Sequence, residues 1–135
     1  MDPVQMRHRA PGARALGAAL AHGWRMTFTL DSPGWGGGVA GIEPDPSDEV
    51  WGVLWEATEA DMVALDEYEG VAIGAYVRGR ISVTFDGDDV DAQVYFAIPR
   101  GPKPPSKRYL RTLVRGAKAN GIPADYVERL RALMG

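Results

Sequence analysis

VWGVLWEATEADMVALDEYEG, residues 50–70, changes its hydrophobic rhythm once, and that change decides the fold. Val50 to Glu56 is aromatic and β-branched, which predicts a well-buried strand. Thr58-Glu59-Ala60-Asp61 then resembles a capping box, with aspartate in place of the usual glutamate. It predicts a helix running to about Glu67 and stopping near Gly70, where a C-terminal glycine belongs.

Downstream, Tyr76 to Phe85 alternates loosely, Asp86-Gly87-Asp88-Asp89 makes a turn, and Val90 to Ile98 returns as a second strand, so the pair predicts a hairpin. Ser106 caps a helix to about Asn120; Gly121 ends it, and Pro123 opens a last helix to about Leu133. Upstream, Trp24 to Leu30 predicts a half-buried strand, with Trp24, Met26, Phe28 and Leu30 on one face and Arg25, Thr27 and Thr29 on the other. Val39 to Glu43 is a short strand. Residues 14–21 fit a helix or a strand equally, and His22-Gly23 should break them. Asp2-Pro3 can start a short helix over residues 3–9. The sum is an α+β pattern: a small mixed twisted sheet or barrel of five to six strands flanked by about four helices. Glycines and prolines cluster at turns, and no linker divides the chain, so residues 1–135 read as a single domain.

At 135 residues, 45% hydrophobic and 24% charged, composition is that of an ordinary globular domain able to bury a core. With no cysteine, disulfides, thiolate metal sites and a cysteine nucleophile are excluded. His8 and His22 alone do not make a histidine metal site, and no role is assigned to them. Fifteen basic against 18 acidic residues, net charge -3, give no global pull toward nucleic acid or an anionic membrane. No apolar stretch is long enough to span a bilayer, and the first residues lack an apolar signal core, so the expected location is cytoplasmic.

Glu69 is the unusual residue. Met62, Leu65 and Glu69 stand at i, i+3 and i+7, so Glu69 follows the apolar stripe, whereas Asp66 and Glu67 turn toward solvent. From spacing alone two readings stand. Either the helix frays first and Glu69 is exposed, or Glu69 is a desolvated carboxylate with a raised pKa, suited to moving protons. Gly34-Trp35-Gly36-Gly37-Gly38 matches no phosphate loop and reads first as a flexible turn. Arg100, Lys103, Lys107, Arg108, Arg111 and Arg115 read as a solvated helix face, because Tyr109 is the sole aromatic among them. Tyr109, Leu113, Gly116 and Ala117 share one side of their helix and predict core packing, with the phenol at its edge.

Two stretches together resemble the gamma-glutamylcyclotransferase (AIG2-like) family. One is Val50 to Val77, with LDxxEG and a tyrosine seven residues after its glutamate; the other is Pro104 to Leu130, with PPSxxY and GAKxNGxPxxY. Asp2 to Phe28 is a weaker third match. The resemblance implies cleavage of a small-molecule γ-glutamyl amide by its own α-amine, giving 5-oxoproline and a free amino acid or amine, with no metal, nucleotide or organic cofactor. It carries the catalytic glutamate onto Glu69 and substrate-pocket tyrosines onto Tyr76 and Tyr109. Ser32 to Gly38 and Arg100 to Pro105 are then candidates for shaping specificity toward the leaving amine. Family members begin with a strand ending in a Tyr-Gly-Ser-Asn-like loop. No Tyr-Gly-Ser occurs in these residues, and the expectation is a coding start upstream of Met1. The alternative is a non-catalytic binding module, or inactive relative, on the same fold.

Overall fold

The computed structural model describes residues 3–32, 34–68 and 76–135. In chain order these form α1 (Pro3–Arg9), β1 (Arg14–Ser32), β2 (Gly37–Glu56), α2 (Glu59–Tyr68), β3 (Tyr76–Phe85), β4 (Asp88–Ala97), α3 (Lys107–Ala119) and α4 (Ala124–Ala132). The strands make one sheet in the order β2-β1-β3-β4, and the pairs are antiparallel. The α+β class stands, with four strands in the described residues because two pairs of expected strands merge.

Residues 14–21 are strand, continuous with Trp24 to Leu30. His22-Gly23 does not break the chain. Pairing jumps there from His22–Glu49 to Trp24–Pro44, so residues 45–48 bulge out of β2 opposite Gly23, whose φ is +81°. Pro46 is tolerated because a bulge asks for no ladder donor at that point, and Pro44, which pairs with Trp24, because β2 is an edge strand. Asp45 closes it by accepting hydrogen bonds from the Ser47 N–H (3.0 Å) and hydroxyl (2.8 Å).

Two apolar clusters sandwich the long β1–β2 ribbon. Val114 and Ala117 of α3, Ile122, and Tyr126, Val127 and Leu130 of α4 cover one side, packing on Ala18, Met26, Trp51 and Val53. Ala19, Ala21 and Val83 form the other, with Trp24, Leu54, Ile81 and Phe85 around them. Trp24 and Met26 thus reach different clusters, contrary to the one-face expectation; a twisted strand of 19 residues spans both layers. Val50 to Glu56 is less buried than its composition predicts. Only Val50 is fully covered, because β2 lies at the sheet edge.

The local signals work as physical chemistry says they should. Asp86-Gly87, both at positive φ, turns the β3–β4 hairpin. Gly121 (φ +74°) ends α3: its N–H reaches the Lys118 carbonyl (3.4 Å) and the Ile122 N–H reaches that of Ala117 (3.1 Å), the two bonds of a Schellman cap. Ile122 then packs into the α3–α4 cluster, so the cap also sets the angle between the helices. No helix among the described residues is long and apolar enough to cross a membrane.

Candidate active site

Tyr109 sits in the first turn of α3. Ser106 caps that turn, its hydroxyl accepting from the Tyr109 N–H (3.2 Å). Leu110, Leu113, Val114, Gly116 and Ala117 are buried while Tyr109 is half-buried, which leaves the phenol at the edge of the core as its spacing predicts. Its hydroxyl accepts a hydrogen bond from the Ala40 N–H at 2.9 Å. Ala40 pairs with Phe28 across the ribbon, and its N–H points off the outer edge of β2. The phenol thus satisfies an edge donor that would otherwise need water.

Tyr76 is half-buried and opens β3 opposite Ala97. Opposed residues of an antiparallel pair share a face. The Ala97 Cβ lies 2.9 Å from where a Cβ on Gly41 would stand, so this end of the hairpin closes over Gly41, next to Ala40. Tyr76 and Tyr109 therefore come from elements that meet at the same point of β2. Glu69 lies outside the described residues, as does the segment up to residue 75 that joins α2 to Tyr76.

The approach to Glu69 is nevertheless well held. Met62 and Leu65 face inward as the spacing predicts, Leu65 fully. Asp66 does not turn to solvent. It accepts a hydrogen bond from the Tyr95 hydroxyl (2.6 Å) and pairs with Arg78 (3.3 Å), which ties the end of α2 to the hairpin. The start of α2 is a true reciprocal cap. The Asp61 N–H donates to Thr58 Oγ1 (3.1 Å), and Asp61 Oδ2 accepts from the Thr58 N–H (3.0 Å) and hydroxyl (2.9 Å). Oδ1 takes the Gly12 N–H (3.0 Å). Hydrogen bonds from the Thr58 backbone, then its hydroxyl and Gly12, hold this carboxyl below its usual pKa despite burial.

Gly34 to Gly36 turn the chain between β1 and β2 as expected, whereas Gly37 and Gly38 already belong to β2 and are docked. Gly38 donates to the Pro104 carbonyl (3.0 Å), and the backbones pass so closely that a Cβ on Gly38 would collide with the Lys103 carbonyl oxygen. Lys103 and Arg100 in turn donate to the carbonyls of Phe28 (2.9 Å) and Thr29 (2.8 Å). The two segments expected to shape specificity are therefore neighbours. A hollow of about 350 Å³ opens there, lined by Leu30, Asp31, Arg100, Gly101, Pro102 and Lys103; neither tyrosine lines it.

Arg108 is exposed, as the solvated face predicts, and its side chain also reaches the glycine loop. Its guanidinium lies 4.7 Å from the centre of the Trp35 ring and donates to the Gly34 carbonyl. Trp35 meets Tyr109 edge-on, with ring centres 5.3 Å apart at 68°. The sequence placed Trp35 in the glycine loop and Arg108 on the solvated face of α3; that the two touch was not readable, though a tryptophan inside a run of glycines was a visible signal. Among the described residues no three His, Asp or Glu side chains gather as metal ligands would.

The AIG2-like family pattern matches residues 49–130. The human gamma-glutamylcyclotransferase is 40% identical over 130 residues, covering 93% of this chain and 69% of the relative. The mouse protein of the same name is 41% identical over 100 residues, 73% of this chain but only 53% of its own length. A solved gamma-glutamyl cyclotransferase superposes with a TM-score of 0.92 at 32% identity, over 96% of this chain and 80% of that one. A Bacillus subtilis protein, YkqA, shares the fold at 22% identity, with a TM-score of 0.82 over 97% of this chain and 47% of its own. The matched regions contain the capped α2, the hairpin and the α3–α4 pair that frame Tyr76 and Tyr109, and the chain belongs to the AIG2-like, gamma-glutamylcyclotransferase family of enzymes.

Proposed function

We propose that the protein converts a small γ-glutamyl amide into 5-oxoproline and a free amino acid or amine, in the cytoplasm, with residues 1–135 acting as one domain. The observation that carries this reading is family membership at 40% identity over 130 residues, through both motif-bearing stretches. The convergence of the Tyr76 and Tyr109 elements on Ala40–Gly41 supports it.

At neutral pH the substrate's α-amine is mostly an ammonium and cannot attack. Glu69 takes one of its protons. The freed amine nitrogen adds to the γ-carbonyl carbon of the same molecule, closing a five-membered ring around a tetrahedral carbon. As the carbonyl re-forms, the bond to the leaving nitrogen breaks and Glu69 returns the proton there; the carboxylate then takes the second proton from the ring nitrogen, which keeps one hydrogen in 5-oxoproline, and passes it to the freed amine, which leaves as an ammonium. One carboxyl serves as base and then acid, so nothing is consumed. Nucleophile and electrophile share a molecule, so holding the folded-back conformer supplies much of the rate. Tyr76 and Tyr109 line the pocket that holds it.

The test is kinetic. Glu69→Gln removes the proton carrier and keeps the shape. It should cut 5-oxoproline release from a γ-glutamyl dipeptide by about a hundredfold or more, with the thermal midpoint unchanged. Activity within a few-fold of the parent would sink the role given to Glu69. A parent protein that binds the dipeptide without turning it over would favour the binding module instead.

A further inference from the structure

We propose that Trp35 and Arg108 are positioning residues that brace Tyr109 against β2; this rests on the reading that Tyr109 lines the substrate pocket. Trp35 is a large aromatic that joins neither apolar cluster. Its indole instead meets the Tyr109 ring edge-on and carries the Arg108 guanidinium. Its carbonyl accepts the Ser106 hydroxyl (2.6 Å), the same group that caps Tyr109. Arg108 adds a bond to the Gly34 carbonyl and so grips the loop from both ring and backbone. Arg108, like Lys107 and Arg111, is exposed, so an arginine here serves the loop more than the core.

The brace acts on one torsional freedom. α3 fixes the Tyr109 backbone, but the phenol could swing about its side-chain bonds. Trp35 blocks that swing on one side, and the Ala40 N–H marks the place where the hydroxyl must stop. A small displacement of a pocket group is costly, because a shift near 1 Å can lose roughly a hundredfold in rate.

The direct readout is the Ala40 amide, whose acceptor is the Tyr109 hydroxyl. Hydrogen exchange at Ala40 should speed up roughly tenfold in Tyr109→Phe, and nearly as much in Trp35→Ala and Arg108→Ala, while amides of α4 keep their protection. Trp35→Phe and Arg108→Gln are milder variants should the alanine variants fold poorly. Unchanged Ala40 exchange in well-folded variants at both positions would overturn the proposal. Kinetics supply the second readout. If Trp35 acts through the phenol, Trp35→Ala should lower kcat/KM about tenfold in the parent and barely at all in the Tyr109→Phe background. Equal losses in both backgrounds would contradict it. If the parent makes no 5-oxoproline but Ala40 exchange responds as stated, the catalytic reading falls and the brace stands.

Discussion

Asp61 shows how much one carboxylate can organise. It is 4% exposed, yet it accepts three hydrogen bonds that join the start of α2 to the turn after α1. The cap was legible in Thr58-Glu59-Ala60-Asp61, because a capping box is a contact between residues three apart. The bond to Gly12 was not, since its donor is 49 residues away in sequence. The consequence is an ordering of effects. Thr58→Ala breaks the box alone, whereas Asp61→Ala also orphans the Gly12 N–H, so Asp61→Ala should lower the thermal midpoint more. Gly12→Ala should hurt as well, because its Cβ would stand 2.7 Å from Asp61 Oδ2. Scanning calorimetry of the three variants checks the order; a Thr58→Ala loss as large as that of Asp61→Ala would show that the Gly12 bond contributes nothing. Glu69 illustrates the opposite case: helical spacing singled it out, but the choice between a frayed end and a desolvated carboxylate is a matter of tertiary surroundings.

At the level of elements, what failed to show in the sequence was continuity. RALGAALA has neither strong β-branching nor polar alternation, so it fits either periodicity; pairing with β2 from Arg14–Glu56 onward makes it strand. Pro44 and Pro46 look like strand breakers, yet Pro44 pairs with Trp24 on the edge strand and Pro46 sits in a bulge that a helix then uses. Asp48, thrust out by that bulge, accepts two bonds from Arg129 of α4 at 2.9 and 2.8 Å. That pairing, with the Glu49 N–H, pulls the Asp48 pKa from 3.8 down to about 2. A carboxyl with a depressed pKa stabilises the fold above its unfolded value and loses that contribution as pH falls through the folded one. The stabilising effect of Asp48 should therefore be complete near neutral pH, fade below 3.8 and be gone beneath about 2. Solvent reaches both partners, so the effect is modest. Thermal midpoints of the parent and Asp48→Asn, compared near neutral pH and again at strongly acid pH, should differ in the first case and converge in the second. A constant difference would mean that the carboxylate's charge is irrelevant. The glycine loop hid its docking for a similar reason: glycines signal permission for close approach, but not which backbone will approach.

The whole molecule places family motifs that are far apart in sequence around one end of a ribbon. Tyr76 enters from the hairpin, Tyr109 from α3, and both elements meet β2 at Ala40–Gly41. The α+β class and most elements were readable because they follow from periodicity and caps; the convergence was not, since it depends on how the hairpin closes over the ribbon. The central claim is that the substrate's own amine, and not water, displaces the leaving group. Product identity tests it most directly. The full gene product, incubated with a γ-glutamyl dipeptide, should release 5-oxoproline and the free amino acid in equal amounts, with no glutamate. Glutamate in place of 5-oxoproline, or substrate that is bound but never consumed, would contradict it.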